Sequence, residues 1–307
     1  MREVILDVDT GTDDALALLY ALRSPDLHVR AVTCVAGNVG LDRVVANTTG
    51  LIGALGAVVP VAAGADRPLL TEPRHAAAVH GTDGLAGVVP PGEPARLDGR
   101  HAVELLRETI LAAKAPVLVG LAPLTNLALL VRTYPEVVEH VAEVRLMAGS
   151  VGAGNVTPAA EFNVWADPEA AAVVMSAPWP VRMYGLDVFY EPSPDDAAIA
   201  ALRAGSSVAG RLAGEVLDGL ARTGPSGRAY LGDAGVVADL DADAVTWEPM
   251  PLMVDTRSGP TRGMTLADRR DRRHEADERA PWPRVGVATA VDAPALVRRY
   301  VDVVGAP

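Results

Sequence analysis

The stretch EVILDVDTGTDDALALLYALRS, residues 3–24, predicts a buried strand that leads directly into a helix. Its first part is a nearly continuous apolar run, which is typical of a strand covered on both faces in a parallel sheet. Its second part has apolar residues at helical spacing, and we expect Thr12 to cap that helix. Asp13 and Asp14 then fall in the first helical turn, where the helix dipole favours acidic side chains.

The same alternation of strand and helix continues through the first two-thirds of the chain. Further predicted strands are 28–37, 58–64, 116–121, 143–149 and 180–188. Further predicted helices are 44–55, 101–113, 124–135 and 169–177, the last with Asp167 as its N-cap and Pro168 as its first residue. Apolar strands separated by helices indicate a parallel sheet with helices on both faces.

This pattern predicts an α/β fold with a mostly parallel, twisted, Rossmann-like sheet and a single domain over residues 1–307. Residues 193–245 are predicted to be a mainly helical excursion within that domain. Strand-like segments follow at 250–256, 261–268 and 284–291, and a closing helix begins at Asp292. We interpret the charged segment 269–279 as a solvated loop, because acids are interleaved with its arginines.

Composition and charge exclude several classes of function. The chain has 307 residues, 50% of them hydrophobic, and a formal net charge of −12, which argues against a disordered chain and against nucleic-acid or membrane partners. The single cysteine, Cys34, lies in an apolar run and is expected in the core, so no intramolecular disulfide is expected. Without a signal-peptide pattern or a long apolar run, the expected location is cytoplasmic.

Four aspartates at positions 7, 9, 13 and 14 lie where the first strand ends and the first helix begins. Ligands of open α/β sheets bind at this carboxyl edge. Carboxylates so close together repel one another in a partly buried site unless a cation offsets their charge. Oxygen ligands suit Ca²⁺ or Mg²⁺, whereas zinc requires His or Cys. Ordinary helix capping beside a solvated turn is the alternative interpretation.

Three known motifs do not fit this stretch. The haloacid dehalogenase pattern requires Thr or Val where Gly11 stands, and a Rossmann fingerprint requires three glycines where Gly11 stands alone. The EF-hand pattern requires a different spacing of its acidic residues. A divalent cation site outside these families therefore remains the prediction.

Polar residues also follow other predicted strands, at or beside the same edge of the sheet. Each has an ordinary explanation, because Asn commonly makes turns and Asp commonly caps helices. Together, their amide and carboxylate groups suit the hydroxyls of a sugar held beside a cation. The polar residues are Asn38, Asn155, Glu161, Asn163 and Asp233, and Met147 lies among them at the end of its strand.

These motifs resemble those of the inosine–uridine-preferring nucleoside hydrolases. DVDTGTDDA resembles the aspartate motif of that family, and further blocks occur in the same order over essentially the whole chain. They are VAGN (35–38), VHGTDGL (79–85), LAPLTNLA (121–128), LMAGS (146–150), GNVTPAAEFN (154–163) and TRGMTLAD (261–268). The resemblance implies the nucleoside hydrolase fold and cleavage of the N-glycosidic bond of ribonucleosides.

The resemblance also implies the site residues by motif position. Ca²⁺ would be bound by Asp9, Asp14, the backbone carbonyl of Thr125, and Asp233. Ribose would be bound by Asp13, Asn155, Glu161 and Asn163, with Asn38 and Met147 near the sugar and His80 near the nucleobase. Asp9 would be the general base for a calcium-bound water, and the assembly would be a homodimer or homotetramer.

One position departs from the family pattern. In members that act on purines and pyrimidines, a histidine before the last calcium aspartate protonates the leaving base, and in purine-specific members a tryptophan stands there. Here that residue is Gly232, although Arg228 and Tyr230 are nearby groups with a proton to donate. Two hypotheses follow: a preference for leaving groups that need no protonation, such as the nicotinamide of its riboside, or a paralogue that binds nucleoside or ribose with weak or no turnover.

Overall fold

The computed structural model of the protein describes residues 1–223, 227–270 and 282–307, without the side chain of Thr223. The strands are β1 Arg2–Val8, β2 Leu27–Cys34, β3 Val61–Ala63, β4 Val117–Gly120, β5 Glu143–Met147, β6 Val181–Tyr184, β7 Val245–Val254, β8 Thr265–Ala267 and β9 Arg284–Val291. Within the described residues they form one sheet, in the order β3-β2-β1-β4-β5-β6-β9-β7-β8. β7 is antiparallel to β8 and β9, and the remaining neighbours pair in parallel.

Helices connect these strands. They are α1 Thr12–Arg23, α2 Leu41–Ala54, α3 Ala77–His80, α4 Ala102–Ala112, α5 Thr125–Thr133, α6 Phe162–Ala166, α7 Pro168–Ser176, α8 Leu186–Phe189, α9 Asp196–Ala204, α10 Val208–Thr223, α11 Asp233–Ala242 and α12 Ala293–Gly305. A 3-10 helix spans Pro135–His140. The predicted α/β fold with a mostly parallel sheet flanked by helices is therefore confirmed.

The sheet has an apolar core on each face. Leu6 of β1 belongs to the core that α1, α10, α11 and α12 cover, whereas Ile5 belongs to the core under α4, α5 and α7. Successive side chains of a strand point to opposite faces, so a strand covered on both sides must be apolar throughout. This explains the continuous apolar run at the start of the chain.

The order of the strands reverses beside β1, which lies between β2 and β4. Asp7, near the end of β1, is in register with Thr33 of β2 and Gly120 of β4. The loops that follow these strands consequently leave the sheet side by side. Ligand sites of open parallel sheets form at such a switch point.

Of the two predicted helix caps, Asp167 is confirmed and Thr12 is wrong. Asp167 accepts from Ala170 N at 3.1 Å, and Asp292 accepts from Ala295 N at 3.0 Å. Thr12 was expected as the cap of α1 and is instead its first residue, preceded by Gly11. Its hydroxyl bonds to His80 Nδ1 at 2.7 Å, and Asp14 in the same helical turn accepts the Gly11 N–H at 3.0 Å.

The remaining sequence-based expectations concern the helical excursion, the charged segment, Cys34 and membrane-spanning helices. Residues 193–245 contain α9, α10 and α11, as the helical pattern predicts. Of the charged segment 269–279, only residues 269–270 are described, so most of the segment interpreted as a solvated loop lies outside the described residues. Cys34 is fully buried, as expected for a core residue. Among the described helices, none is long and apolar enough to span a membrane.

Candidate active site

One asparagine orients two of the aspartates that follow β1. Asn38 donates from Nδ2 to Oδ1 of Asp9 at 3.2 Å and to Oδ2 of Asp14 at 3.1 Å. Its backbone N–H donates to Oδ2 of Asp9 at 2.6 Å. The backbone N–H of Asp9 donates in turn to Asp14 at 3.2 Å. All three side chains are buried, so these bonds fix their relative orientation.

Gly37, beside Asn38, is required because the Asp9 carboxylate lies against it. A Cβ at Gly37 would lie 2.0 Å from Oδ2 of Asp9 and 2.8 Å from Cδ of Pro123. Any larger residue would displace the carboxylate or the loop after β4. The loop after β4 therefore reaches the neighbourhood of Asp9 at the carboxyl edge. Its Pro123 stands two residues before Thr125.

Asp13, Asp14 and Asp233 form the acidic cluster of the site. Each offers one oxygen, and the three oxygens lie within 4.8 Å of one another. Asp13 and Asp14 lie in the first turn of α1, and Asp233 is the first residue of α11, so two helix N-termini meet here. Oδ1 of Asp13 is buried and has no hydrogen-bond partner among the described residues. Such an oxygen, beside two further carboxylates, requires a divalent cation or the hydroxyl group of a ligand to satisfy it.

Burial raises the pKa of the carboxyl groups in this region. It is the main cause that raises the pKa of Asp14 to about 7, and the charge of Asp13 adds to it. Burial, with the charges of nearby aspartates, also raises the pKa values of Asp9 and Asp233 well above their ordinary value. Without a cation the cluster thus favours protonated, neutral acids, whereas a bound cation would favour the ionised forms.

Asp7, near the end of β1, links the elements that carry the site. Its Oδ1 accepts from Thr33 Oγ1 at 2.6 Å and from Asn126 Nδ2 at 2.8 Å. Asn126 also donates to the Cys34 carbonyl at 3.1 Å and accepts from Ala65 N at 2.9 Å. The LAPLTNLA block contains Asn126, but its sequence does not indicate this contact with Asp7. Asp7 thereby joins β1, β2 and α5 beneath the acidic cluster.

Glu161 is placed by three backbone donors. It caps α6, and burial raises its pKa to about 7 while the N–H donors lower it and the charge of Asp13 raises it. Both of its oxygens accept backbone N–H groups: Gly149 at 2.9 Å, Asn163 at 2.7 Å and Val164 at 3.1 Å. The caps hold its carboxyl group rigidly within electrostatic range of Asp13.

Asn163 joins two neighbouring strand ends. Its Nδ2 donates to the backbone carbonyls of Leu121 and Met147, each at 3.0 Å, and contacts Sδ of Met147 at 3.5 Å. The amide nitrogen is therefore occupied by the protein. Among the described residues no hydrogen bond is assigned to Oδ1, so that atom is the one available to a ligand.

Asn155 lies in an exposed loop that precedes α6. Its Oδ1 accepts from Phe162 N at 3.0 Å, and its side chain also bonds to that of Tyr190. The start of the loop is fixed by Thr265 of β8, whose Oγ1 accepts from Ser150 N at 2.8 Å and donates to Ser150 O at 2.6 Å. The TRGMTLAD block, which contains Thr265, thus supports the loop that carries Asn155.

His80 packs against the start of α1. Its Nδ1 accepts the Thr12 N–H at 3.2 Å and bonds to Thr12 Oγ1 at 2.7 Å, and it lies 3.7 Å from Oδ1 of Asp13. Burial lowers its pKa, although the charge of Asp13 raises it. An Nδ1 that accepts a backbone N–H carries no proton, so the ring is neutral with its proton on Nε2. Whether it contacts a nucleobase stays a prediction.

Thr125 begins α5 at the same edge of the sheet. Its hydroxyl donates to Asp167 at 2.7 Å, a bond that ties α5 to the cap of α7. The side chain is therefore used within the protein. A role for the backbone carbonyl as a metal ligand stays a prediction.

A family model described as inosine-uridine preferring nucleoside hydrolase matches residues 4–298 of the chain. The chain belongs to this family. Nucleoside hydrolases cleave the N-glycosidic bond of ribonucleosides, and the sequence-based identification of this enzyme class is confirmed.

Two relatives illustrate the range of nucleoside hydrolases that the chain is similar to. It is 36% identical over 280 residues to the inosine-uridine preferring nucleoside hydrolase of Leishmania major, which covers 87% of this chain and 88% of the relative. It is 38% identical over 276 residues to the pyrimidine-specific ribonucleoside hydrolase RihA of Shewanella woodyi, an alignment that covers 87% of this chain and 88% of the relative.

Solved nucleoside hydrolase structures have the same fold. The plant enzyme PpNRh1 superposes with a TM-score of 0.93 at 28% identity and covers 100% of this chain and 99% of its own. The purine-preferring ribonucleoside hydrolase from Gardnerella vaginalis superposes with a TM-score of 0.90 at 29% identity. The superposition covers 99% of this chain and 98% of the Gardnerella chain.

In this nucleoside hydrolase, the backbone at Gly232 explains why the position has no side chain. Its φ of +55° and ψ of −125° are readily adopted by glycine and strained for other residues. A Cβ there would lie 2.9 Å from Cβ of Asp13 and 2.9 Å from Cζ of Phe189. Gly232, which stands at the leaving-group position of the family pattern, is therefore enclosed by Asp13 and Phe189. The sequence alone does not indicate the contact with Phe189.

Proposed function

We propose that this nucleoside hydrolase is a calcium-dependent ribonucleoside hydrolase that releases ribose and free base. The observation that carries the proposal is the acidic cluster of Asp13, Asp14 and Asp233, with its unpartnered buried oxygen, at the switch point of the sheet. A site made of carboxylate oxygens suits Ca²⁺ or Mg²⁺ rather than a metal that prefers nitrogen or sulfur.

Asp9, Asp14, Asp233 and the backbone carbonyl of Thr125 would hold the cation. Asp13 joins Asp14 and Asp233 in the three-oxygen group, and Asp9 lies beside it through the shared bonds to Asn38. When bound, a calcium ion supplies positive charge that makes a nearby water more acidic and attracts the ribose hydroxyls. The negative charge of the surrounding carboxylates supports this assignment.

Asp9 is the proposed general base. Its carboxylate accepts the proton of the attacking water while both oxygens are aligned by Asn38. The C1′–N bond breaks with its electron pair moving to the base, so positive charge develops on the ribosyl ring. The acidic side chains of Asp13 and Glu161 lie close enough to stabilise that charge electrostatically.

Asp13, Asn155, Glu161 and Asn163 are the proposed ribose ligands, with Asn38 and Met147 beside the sugar. The unpartnered Oδ1 of Asp13 and the available Oδ1 of Asn163 are acceptors for hydroxyl groups. Holding the 2′- and 3′-hydroxyls orients C1′ toward the attacking water, which lowers the entropic part of the barrier.

Gly232 supports a preference for bases that leave without a proton. A side chain at this position would meet Asp13 and Phe189, so this enzyme has no acid there. Loss of a general acid typically costs about 10²–10⁴-fold in rate. A cationic leaving group, such as the nicotinamide of its riboside, avoids that loss. The same observation favours the second candidate, a paralogue that binds ribosides and turns them over weakly or not at all.

Release of reducing sugar tests the proposal and separates the two candidates. Inosine, uridine and nicotinamide riboside would be supplied to protein treated with EDTA and then to the same protein with added CaCl₂. We expect calcium-dependent release from nicotinamide riboside at the highest rate. Release that is equally fast with EDTA would exclude calcium dependence, and binding of all three without release would favour the binding paralogue.

Substitution of the proposed base gives the matched comparison. Asp9→Asn should reduce turnover by at least about 100-fold with calcium present, because the amide accepts no proton. Asp42→Asn, at an exposed position in the first turn of α2, should leave turnover unchanged. Equal rates for Asp9→Asn and the unsubstituted enzyme would exclude Asp9 as the base.

The assembly and location stay predictions. We propose a homodimer or homotetramer, which size-exclusion chromatography with light scattering would distinguish from a monomer. The cytoplasmic location is proposed from the sequence pattern, and fractionation of cells that express the tagged chain would test it.

A further inference from the structure

Three aromatic side chains form a continuous row beside the acidic cluster. Phe189 and Tyr190 pack edge to face with ring centroids 4.9 Å apart, and Tyr190 and Tyr230 do so at 5.3 Å. Phe189 ends α8, whereas Tyr230 lies shortly before α11. The chain has only two phenylalanines and six tyrosines, so three of them in one row is a concentration of a scarce residue type. We call Phe189, Tyr190 and Tyr230 the aromatic row.

The inner end of the aromatic row reaches the acidic cluster at Gly232. Phe189 Cζ and Asp13 Cβ each lie 2.9 Å from the place where a Cβ of residue 232 would be. The tip of the phenyl ring and the first-turn aspartate of α1 therefore enclose this position. Phe189 occupies the space into which a side chain at 232 would project.

The middle ring of the aromatic row, Tyr190, reaches solvent beside the proposed ribose ligands. Tyr190 is 44% exposed, although its side chain bonds to that of Asn155. Burial raises the pKa of Tyr190, the bond to Asn155 lowers it, and the charges of Glu161 and Asp13 raise it further. The phenol is consequently neutral near pH 7, when it both donates and accepts hydrogen bonds.

This arrangement differs from ordinary core packing. A tyrosine that only fills a core buries its ring and pairs its hydroxyl inside the protein. Tyr190 instead presents nearly half of its surface to solvent while its polar tip lies within electrostatic range of Asp13 and Glu161. A planar group that extends from the acidic cluster past Gly232 would meet Phe189 and then the exposed side chain of Tyr190.

We propose that Tyr190 is a specificity-determining residue that contacts the heteroaromatic base of a bound ribonucleoside, with Phe189 filling the space of a side chain at 232. This inference depends on the proposed function, because it places the ribose on the acidic cluster. The partner that fits Tyr190 is a flat, nitrogen-containing ring, which packs on the aromatic face and hydrogen-bonds to the phenol.

Steady-state kinetics of two tyrosine variants test the role of Tyr190. Tyr190→Ala should raise the KM for inosine and uridine by about 3- to 10-fold, which is the usual worth of one aromatic contact. The calcium concentration for half-maximal activity should not change. Tyr134→Ala is the control. Tyr134 directly follows α5 and bonds to Glu104 of α4 at 2.6 Å. Its substitution should leave the KM and the calcium requirement unchanged.

Each outcome decides between distinct explanations. An unchanged KM for Tyr190→Ala would overturn the inference while leaving the proposed function intact. A change in the calcium requirement would also overturn it, because Tyr190 would then act through the cluster. Tyr190→Phe separates the ring from the hydroxyl: a KM as high as that of Tyr190→Ala assigns the contact to the hydroxyl. If the unsubstituted enzyme releases no ribose from any riboside, the proposed function itself fails.

A double substitution tests the place of Phe189. Gly232→Ala should lower the Tm, because its Cβ meets the phenyl ring and Asp13. In a Phe189→Ala background the same substitution should lower the Tm by less, because one of the two contacts is gone. Equal losses of Tm in both backgrounds would show that Phe189 does not occupy that space.

Discussion

Asn38 fixes both oxygens of Asp9, with its backbone N–H 2.6 Å from Oδ2 and its side-chain Nδ2 3.2 Å from Oδ1. One residue of the loop after β2 thus sets the orientation of the proposed base at the end of β1. The geometry also explains why a small residue comes before Asn38, since a Cβ at Gly37 would lie 2.0 Å from the same carboxylate.

Asn38→Ala should lower kcat/KM for ribonucleosides by about 10- to 100-fold, as expected when a residue that orients a metal ligand is lost. The cause is the loss of the amide donor that holds Asp9 and Asp14 together. Asn47→Ala is the matched control, because among the described residues its amide donates to the backbone carbonyls of Thr10 and Asp83 and to neither Asp9 nor Asp14. Activity assays across a calcium titration measure both, and an unchanged calcium midpoint for Asn38→Ala would contradict this role.

Asp233 and Asp239, both on α11, should differ in their effect on calcium binding when substituted. Asp233→Asn removes one carboxylate of the acidic cluster and should weaken calcium binding by at least about 100-fold. Asp239→Asn should leave calcium binding unchanged and lower the Tm, because Asp239 forms a buried ion pair with Arg145 at 2.6 Å. Calorimetric titration with CaCl₂ and thermal unfolding measure the two effects. Equal calcium affinities in the two variants would exclude Asp233 as a ligand.

The stability of the cation-free protein should fall as the pH rises from about 5 to about 7. Asp7, Asp14 and Glu161 each have a pKa of about 7 in the folded chain, above the ordinary 3.8 to 4.5 of an unfolded one. The folded state therefore holds protons that the unfolded state releases in this window, so unfolding becomes easier with rising pH. We expect a Tm decrease of roughly 5 °C in EDTA.

Calcium should make this pH dependence smaller, because the cation stabilises the ionised carboxylates of the acidic cluster. Differential scanning calorimetry at matched ionic strength, with EDTA and with CaCl₂, gives both curves. A Tm that rises with pH in EDTA would contradict the assignment of buried, protonated acids.

Thr265→Val should raise the KM for ribonucleosides by about 3- to 10-fold with little change in kcat. The valine keeps the volume but removes both hydrogen bonds to the backbone of Ser150, and the loop that carries Asn155 loses its anchor. Thr289→Val, which loses a bond to Glu248 at 3.1 Å on the exposed side of β9, should have no effect on KM. Identical KM values in the two variants would show that the loop does not depend on β8.

The sequence predicted the fold class and the elements well, because the apolar runs and helical repeats follow burial directly. It placed strands at all the positions that form the parallel sheet, and it identified Asp167 as a cap. It was wrong about Thr12, because the partner of that hydroxyl is His80, 68 residues away along the chain. A contact so distant in sequence leaves no local signal.

Parts of the site were equally beyond sequence reasoning. The bonds from Asn126 to Asp7 and from Thr265 to Ser150 join elements that only the folded sheet brings together. Gly232 is visible in the sequence as a departure from the family pattern. Its positive φ and its contact with Phe189 depend on how α8 and α11 pack against α1, which no local pattern encodes.

A crystal structure of the protein grown with CaCl₂ and ribose is the most direct test of the acidic cluster as the catalytic centre. We predict one calcium ion bound by oxygens of Asp9, Asp14, Asp233 and the Thr125 carbonyl at about 2.3–2.6 Å, with ribose hydroxyls beside it. Only water among these oxygens, at a calcium concentration that supports full activity, would contradict the proposed site.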